Sequence, residues 1–384
     1  MSKAPDDASG DAIWALGCMT GTALDGAIDL ALVRTDGRRI LELGPWGLVP
    51  YGDDLRGFMA EAVAEARAWA FRGPEPAIFA EAARQFTLAH AEAIRWFCAD
   101  RGVALADIAI IGLHGLTVLH RAPAAGVKGA TRQLGDGALL ARELGVDVAF
   151  DFRSADLAAG GNGAPLAPIY HAALFAYSNM PAPAAALNLG GVANVTWWRG
   201  GDDVIAFDMG PANGPINEWM ERCGLGACDM DGALAASGQV DEARLAQWLS
   251  HPFFAARYPK SLDRYDFSAR LAEGLSPADG AATLTALVAA AVDRGLDLLP
   301  QRPAQLIVCG GGRRNPTLMA EIARRARVMA VDADDCGWRG DAVEAECFAY
   351  LAARTRAGLP ISFPSTTGVA APTRGGRIAR SGKG

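Results

Sequence analysis

The sequence predicts an α/β protein built from two similar halves, each a mixed sheet flanked by helices. The first observation is a repeated pattern of apolar strand, glycine-containing turn and second strand, at residues 13–29 and again at 186–196. The second is that further strands alternate with helices after each copy of this pattern. The third is a length of 384 residues, which is enough for two domains with separate cores.

In the first half, apolar runs and turn signals set the predicted order of elements. Asp36-Gly37 between two apolar runs is typical of a hairpin, and Gly102 ends a run of apolar residues at helical spacing. The predicted elements are two strands between residues 13 and 35, a strand at 40–49, a helix at 77–100, a strand at 108–112, a helix at 138–144 and a strand at 146–152.

The second half repeats this order. Its predicted elements are strands near 185–189, 194–198 and 204–207 with a Gly200-Gly201 hairpin, then helices including a buried one at 281–292, a strand at 306–309, a glycine loop at 310–315 and further helices. We therefore predict an N-terminal domain over 11–175 and a C-terminal domain over 176–357, with 358–384 packing back on the first. Residues 373–384 carry four basic side chains, which favours a solvated tail over a binding arm.

The two glycine turns predict a phosphate-binding site. Glycine allows a sharp turn that brings backbone N–H groups against an anion. One such loop in each half suggests a central cleft that holds a polyphosphate, which indicates ATP in the absence of a Walker sequence. Taken alone, the first loop would equally suit a tight hairpin.

Composition excludes several classes of protein. A net charge of -7 argues against general binding to nucleic acid or to an anionic membrane. We identify no signal peptide and no apolar run of about 18 residues. The seven cysteines are scattered, which favours reduced thiols in a cytoplasmic protein, and Cys223 with Cys228 lacks the second pair that a zinc site would need.

Several short motifs, in order along the chain, together resemble one family, the 1,6-anhydro-N-acetylmuramic acid kinases. They are Gly17-Cys-Met-Thr-Gly-Thr-Ala-Leu-Asp-Gly26, His114-Gly-Leu-Thr117, Asp151-Phe-Arg153, Gly160-Gly-Asn-Gly-Ala-Pro-Leu166, Asn188-Leu-Gly-Gly-Val-Ala-Asn194, Phe207-Asp-Met-Gly210, Asp229-Met-Asp-Gly232, Pro259-Lys-Ser261, Cys309-Gly-Gly-Gly312 and Glu344. The resemblance covers about 13–378. It implies two actin-like (ribonuclease H-like) domains with a central ATP cleft, the fold of sugar kinases, actin and heat-shock chaperone ATPases.

Asp208 is the candidate catalytic residue. It follows an apolar strand and precedes a Gly-Pro turn, although a carboxylate there could also cap a helix or stabilise the turn. The resemblance implies that Asp208 is a base that deprotonates water. The water attacks the anomeric carbon of the anhydro sugar, and the released O6 accepts the γ-phosphoryl group of ATP.

The resemblance also assigns the nucleotide site. The implied ATP-binding residues are Thr20, Gly21, Thr22, Ala23, Leu24, Asp25, Gly26, Gly190, Gly191, Asn194, Gly310, Gly311, Gly312 and Asn315. Asp25 would orient Mg²⁺ through bound water. Gly310 to Gly312 follow a strand and precede a helix, which suits the adenosine and α-phosphate side of the nucleotide.

The implied sugar-binding residues are His114, Arg153, Gly163, Ala164, Pro165 and Glu344. Arg153 could pair with the lactyl carboxylate of a muramic sugar, or form a structural salt bridge with Asp151 or Asp156. His114 could be a core imidazole and Glu344 a surface carboxylate. Residues 163–165 would open a helix whose N-terminus faces the sugar. Lys260 is either solvated or in contact with the cleft.

Departures from the family pattern keep two alternatives open. Leu116, Asn217 and Leu262-Asp263 differ from the residues usual in the family. A kinase of the same fold that acts on a free hydroxyl of another sugar or polyol is the first alternative. A nucleotide-dependent conformational protein, of the actin or chaperone kind, is the second. The sequence does not decide whether the protein forms a homodimer.

Overall fold

The computed structural model describes residues 12–21, 26–124, 126–262 and 266–382. Its backbone contacts divide the chain into two compact units. The first unit contains the described residues of 1–173, 344–364 and 368–384, and the second those of 174–343 and 365–367. Residues 344–357, which the sequence prediction assigned to the second half, thus belong to the first unit.

The described residues form strands and α-helices numbered here in chain order. The strands are β1 (Ile13–Met19), β2 (Ala27–Thr35), β3 (Ile40–Pro50), β4 (Ile108–Leu113), β5 (Leu116–Arg121), β6 (Ala130–Leu134), β7 (Val148–Phe150), β8 (Ala184–Leu189), β9 (Val192–Gly200), β10 (Asp203–Pro211), β11 (Gln305–Cys309), β12 (Met329–Asp332) and β13 (Arg377–Ala379). The helices are α1 (Asp53–Trp69), α2 (Ile78–Arg101), α3 (Gly137–Leu144), α4 (Ser154–Ala158), α5 (Pro168–Tyr177), α6 (Asn213–Arg222), α7 (Ala233–Ser237), α8 (Glu242–Trp248), α9 (Pro277–Leu296), α10 (Pro316–Ala326) and α11 (Val343–Arg356).

The first unit contains a six-stranded mixed sheet in the order β13-β7-β4-β1-β2-β3. The meander β1-β2-β3 is antiparallel, whereas β4 pairs in parallel with both β1 and β7. Strands β5 and β6 form a separate antiparallel hairpin. Parallel pairing places the ends of β1, β4 and β7, and the loops that follow them, at one edge of the sheet.

The second unit contains a five-stranded sheet in the order β10-β9-β8-β11-β12. Strands β8, β9 and β10 form an antiparallel meander, and β11 pairs in parallel with β8 and β12. Order and directions are the same as in β3-β2-β1-β4-β7. The prediction of an α/β protein with two similar halves, each a mixed sheet with helices, is confirmed.

Most predicted elements are present, and the errors have physical causes. The Asp36-Gly37 hairpin, the helix ended by Gly102 and the buried helix at 281–292, part of α9, are confirmed. The prediction did not include α1 or the β5–β6 hairpin. The solvated tail is wrong in part, since β13 pairs with β7, and Arg380 donates to Asp147 at 2.6 Å. A three-residue strand carries too little periodicity to be predicted.

Helix α11 lies directly on the first sheet at two glycines. A Cβ at Gly17 of β1 would lie 1.8 Å from the carbonyl oxygen of Ala345, and one at Gly112 of β4 would lie 2.1 Å from that of Phe348. These are backbone atoms of the helix, so no side-chain movement could relieve the clash.

Within the described residues, no helix is long and apolar enough to cross a membrane.

We expect Gly112→Ala to lower the free energy of unfolding by about 3 kcal/mol or more, because the helix must move away from the sheet. Chemical denaturation followed by circular dichroism measures this change. The matched control is Gly57→Ala in α1, where an added Cβ meets nothing within 4 Å. That change should raise stability by about 0.5–1 kcal/mol. Equal effects of the two substitutions would contradict the packing described here.

Candidate functional site

In the second unit, Asp208 lies on β10 opposite Asn194 of β9, next to an irregularity in the strand register between Asp208 and Gly210. Its backbone N–H donates to the carbonyl oxygen of Lys260 at 3.1 Å. The backbone N–H of Leu262 donates to Asp208 Oδ2 at 2.8 Å. The segment 260–262 therefore runs along β10 and fixes the carboxylate. The alternative that Asp208 caps a helix is wrong. Its carboxylate instead holds the segment 260–262 in place.

The environment of Asp208 changes its acidity. Burial raises the pKa of its carboxyl group to about 7, although the N–H of Leu262 and the positive charge of Lys260 both act to lower it. A carboxyl group with this pKa is ionised in about half of the molecules at neutral pH. It can therefore accept a proton at the pH where most enzymes work, which an ordinary surface aspartate does poorly.

Lys260 is half-buried beside Asp208. Its ammonium group donates to the carbonyl oxygen of Phe253 at 2.9 Å and lies 4.3 Å from the centre of that aromatic ring. Burial lowers the pKa of Lys260 to about 8, against the opposing effect of the Asp208 carboxylate. The Lys260 side chain is thus held by protein contacts and is not the freely solvated side chain that the sequence also allowed.

The predicted nucleotide-binding glycines of the second unit occupy two neighbouring loops at one edge of its sheet, whereas Asn194 lies within β9. The carbonyl oxygen of Gly190 accepts from Asn213 N at 2.9 Å, and that of Gly191 accepts from Ala212 N and Gly214 N at 3.1 and 3.2 Å. Both carbonyl oxygens, which would repel a phosphate, thus accept hydrogen bonds from the N-terminal end of α6 and the residue before it. A Cβ at Gly191 would meet nothing within 4 Å, so this loop borders open space.

The second glycine loop packs tightly against the end of β8. Gly310 has a φ of +79°, and a Cβ there would lie 2.3 Å from Asn188 Oδ1. Only glycine fits both conditions. Asn315 accepts from Leu318 N at 2.9 Å and so caps helix α10. The side-chain oxygen of Asn315 therefore has a structural task in addition to the nucleotide role predicted for it.

In the first unit, Thr20 follows β1 and contacts a buried histidine that sequence reasoning missed. His90 Nδ1 donates to the carbonyl oxygen of Phe86 at 2.8 Å, so His90 Nε2 accepts from the hydroxyl of Thr20 at 3.0 Å. Burial lowers the pKa of His90 to about 4, which keeps the ring neutral. The predicted residues Thr22, Ala23, Leu24 and Asp25 lie outside the described residues. Gly21 and Gly26 flank that gap.

His114 and Arg153 form a hydrogen-bonded pair at the ends of β4 and β7. Arg153 Nη2 donates to His114 Nε2 at 3.0 Å, and Arg153 Nη1 donates to the carbonyl oxygen of Gly163 at 2.9 Å. A guanidinium has no acceptor, so the remaining ring proton of neutral His114 is on Nδ1. Burial holds the pKa of His114 well below its usual range, and the charge of Arg153 lowers it further.

Two buried donors of this pair have no partner in the described part of the chain. They are His114 Nδ1 and Arg153 Nε. Unpaired buried donors are uncommon in proteins, because each costs the free energy of its lost contact with water. His114 also lines a cavity of about 180 Å³, together with Asp151 and Ser154. The pair can therefore bind an acceptor such as a carboxylate.

The other predicted sugar residues lie near this pair in the first unit. Gly163 has a φ of +74°, and its N–H donates to the buried carboxylate of Asp156 at 2.6 Å. Ala164 and Pro165 do not open a helix as predicted, because α5 begins at Pro168. Glu344 is exposed on α11. Burial lowers the pKa of Arg153, and the negative charges of Glu344 and Asp156 oppose this effect.

The comparisons with known proteins agree on one family. The family model described as anhydro-N-acetylmuramic acid kinase matches residues 13–380. A protein of that name from Brucella anthropi is 57% identical over 366 residues, which cover 95% of this chain and 99% of the relative. One from Rhizobium rhizogenes is 57% identical over 367 residues, covering 96% and 99% of the two chains.

Solved structures are more distant. Component A of the (R)-2-hydroxyglutaryl-CoA dehydratase from Acidaminococcus fermentans matches 89% of this chain and 99% of its own length at 14% identity, with a TM-score of 0.44. This likeness is too weak to support an assignment. The family assignment rests on the sequence matches alone.

We expect the carboxyl group of Asp208 to titrate near pH 7 in carbon-13 NMR spectra of protein labelled at aspartate. Lys260→Met should raise that pKa further, because it removes a positive charge that favours the carboxylate. Lys128→Met, which changes an exposed lysine of the first unit, is the control and should leave the titration unchanged. A pKa near 4 in the parent protein would contradict the burial described for this carboxylate.

Proposed function

Because the chain belongs to the anhydro-N-acetylmuramic acid kinase family, we propose that it converts 1,6-anhydro-N-acetylmuramic acid and ATP to N-acetylmuramic acid 6-phosphate. The reaction serves the recycling of cell-wall peptidoglycan. The observation that carries this proposal is the buried Asp208 carboxylate, which lies within β10, is fixed by the backbone N–H of Leu262 and has a pKa of about 7. Seven free cysteines are consistent with a cytoplasmic location.

The chemistry of the substrate explains why a base is needed. In a 1,6-anhydro sugar, O6 bridges to the anomeric carbon, so no 6-hydroxyl is available for phosphorylation. Asp208 accepts a proton from a water molecule while the water oxygen bonds to the anomeric carbon. The bond from that carbon to O6 breaks, and O6 then bonds to the γ-phosphorus of ATP while the bond from that phosphorus to the β,γ-bridging oxygen breaks and ADP leaves. A positioned base of this kind contributes about 10²–10⁴-fold to the rate.

The first unit supplies a contact for the acidic part of the sugar. Arg153 Nε and His114 Nδ1 are the two buried donors without a partner described above. A guanidinium binds a carboxylate through charge-assisted hydrogen bonds, which are stronger than neutral ones. We assign these donors to the lactyl carboxylate, which distinguishes muramic acid from glucosamine. Gly163, Ala164, Pro165 and Glu344 are the further sugar-binding residues in this proposal.

The nucleotide is held mainly by backbone groups. In the Gly190-Gly191 loop, both carbonyl oxygens are already hydrogen-bonded, which suits a contact with phosphate. The Gly310–Gly312 loop packs closely against the end of β8, and we assign it to the adenosine side of the nucleotide. The described residues include no group of three His, Cys, Asp or Glu side chains that could hold a metal ion. Mg²⁺ commonly binds through nucleotide phosphates and few protein ligands. We propose that Asp25 holds the ion through water, where it would neutralise phosphate charge.

Two departures from the family pattern, Leu116 and Leu262, do not favour a different acceptor, and Asp263 lies outside the described residues. Leu116 is fully buried in the core of the first unit, so its side chain is not available to a ligand. Leu262 holds Asp208 through its backbone N–H, which any residue except proline could supply. The alternative of a kinase for a free hydroxyl therefore gains no support from these positions.

We expect Asp208→Asn to lower kcat by at least about 10³-fold while the affinity for ATP stays within about twofold, because the amide cannot accept the proton. A coupled assay with anhydro sugar, ATP and Mg²⁺ measures turnover, and calorimetry measures nucleotide affinity. The control is Asp203→Asn, an exposed carboxylate at the start of the same strand that pairs with Arg199. Near-parental turnover of Asp208→Asn would remove Asp208 from its role.

We expect one atom of ¹⁸O from labelled water at the anomeric position of the product, because water opens the bridge. Mass spectrometry of the phosphorylated sugar detects it, and the hydrolysed sugar, phosphorylated in parallel, corrects for exchange at that carbon. If a sugar or polyol with a free hydroxyl is phosphorylated faster than the anhydro sugar, and its product carries no ¹⁸O, the alternative kinase is favoured. Nucleotide-linked assembly without any sugar phosphorylation would favour a conformational ATPase.

A further inference from the structure

Arg313 is a buried arginine whose role none of the assignments above covers. It follows the glycine loop Gly310–Gly312 directly, and only 5% of its surface is exposed. Arginine is rarely buried unless its charge is paired, because moving a guanidinium out of water is costly. Arg313 lies next to the Gly310–Gly312 loop that we assign to nucleotide binding, so its contacts can affect that loop.

Three carboxylates and one carbonyl oxygen surround the guanidinium. Arg313 Nη2 donates to Asp341 Oδ1 at 2.9 Å and to Asp334 Oδ2 at 3.1 Å, and Nε lies 3.2 Å from Asp332 Oδ1. Arg313 Nη1 donates to the carbonyl oxygen of Gly310 at 3.3 Å. The side chain thus connects the first residue of the glycine loop to the segment 332–341.

The backbone of that segment completes the clamp. A Cβ at Gly340 would lie 2.5 Å from Arg313 Nε and 2.7 Å from its Cζ, so the bare glycine backbone lies against the guanidinium. The N–H of Gly340 donates to Asp334 Oδ1 at 2.7 Å, which fixes that carboxylate in turn. Although burial disfavours the charge, the bonds to Asp334 and Asp341 raise the pKa of Arg313.

The next residue makes a useful contrast. Arg314 is 63% exposed in its side chain and pairs with Asp341 alone among the described residues. Exposed pairs of this kind contribute little to stability. Arg313 and Arg314 therefore have the same charge and adjacent positions, but only Arg313 reaches the carbonyl oxygen of the glycine loop.

We propose that Arg313 is a positioning residue for nucleotide binding, which sets the orientation of the Gly310–Gly312 backbone through the Gly310 carbonyl group. The inference rests on the proposed function, in which this loop contacts ATP. Gly310 has a φ of +79°, which glycine adopts without strain, so a contact at its carbonyl group selects one of several backbone orientations that are accessible to glycine. The Arg313 side chain links this carbonyl group to Asp332, which is the last residue of the neighbouring parallel strand β12.

The test compares Arg313→Met with Arg314→Met in the full chain. For Arg313→Met we expect the Kd of a non-hydrolysable ATP analogue with Mg²⁺, measured by calorimetry, to rise roughly tenfold. The KM for ATP should rise with it, whereas the KM for the sugar should stay within about twofold. Arg314→Met should change neither constant. Arg313→Lys keeps the charge without the planar fork, and should recover part of the affinity.

A second variant keeps the test decisive if Arg313→Met does not fold. Asp334→Asn retains Arg313 and weakens one contact without changing the size of the side chain, so we expect a smaller rise in the nucleotide Kd. Parental Kd values in both folded variants, or a lower melting temperature with an unchanged Kd, would overturn the inference alone. A parent protein that does not bind the analogue would instead overturn the proposed function.

Discussion

Parallel pairing between the first strand of each meander and the strands added later decides where the functional side chains of each unit meet. In the first unit, β1, β4 and β7 run in the same direction, and in the second β8, β11 and β12 do so. Loops that follow parallel strands begin at the same edge of the sheet, which is where ligands bind in many open α/β proteins. Contacts between loops in both units follow from this constraint, whereas Asp208 lies on β10 of the antiparallel meander.

The same arrangement explains two pairings that are far apart in sequence. His114 follows β4 and Arg153 follows β7, and because these strands are neighbours the two side chains meet at 3.0 Å. Arg313 follows β11 and Asp334 follows β12, and they meet at 3.1 Å for the same reason. In each unit, a loop residue is oriented by a side chain from the adjacent parallel strand.

Burial has a different consequence for each ionisable group. His90 and His114 stay neutral, because burial lowers the pKa of both rings. Asp208 has one bonded carboxylate oxygen and a nearby lysine, which is too little to offset burial, so its pKa rises to about 7. Arg313 keeps its charge, because three carboxylates surround it. Asp208 has one opposite charge nearby and can accept a proton near neutral pH, whereas Arg313 has three and stays charged. The number of nearby opposite charges therefore decides whether a buried group exchanges protons or keeps a fixed charge.

The sequence by itself determined the two mixed sheets, most of their strands and the family, because these depend on local periodicity, on glycine turns and on short motifs that keep their order. It also identified Asp208, which stands out as a charge at the end of an apolar strand. Only the tertiary structure decided the pKa of that carboxylate, the partner of Arg153 and the clamp around Arg313. These properties depend on groups 39, 54 and 28 positions away in the chain, at His114, Leu262 and Asp341. Contacts over such separations are set by how strands pair, and a single sequence carries no local pattern that specifies them.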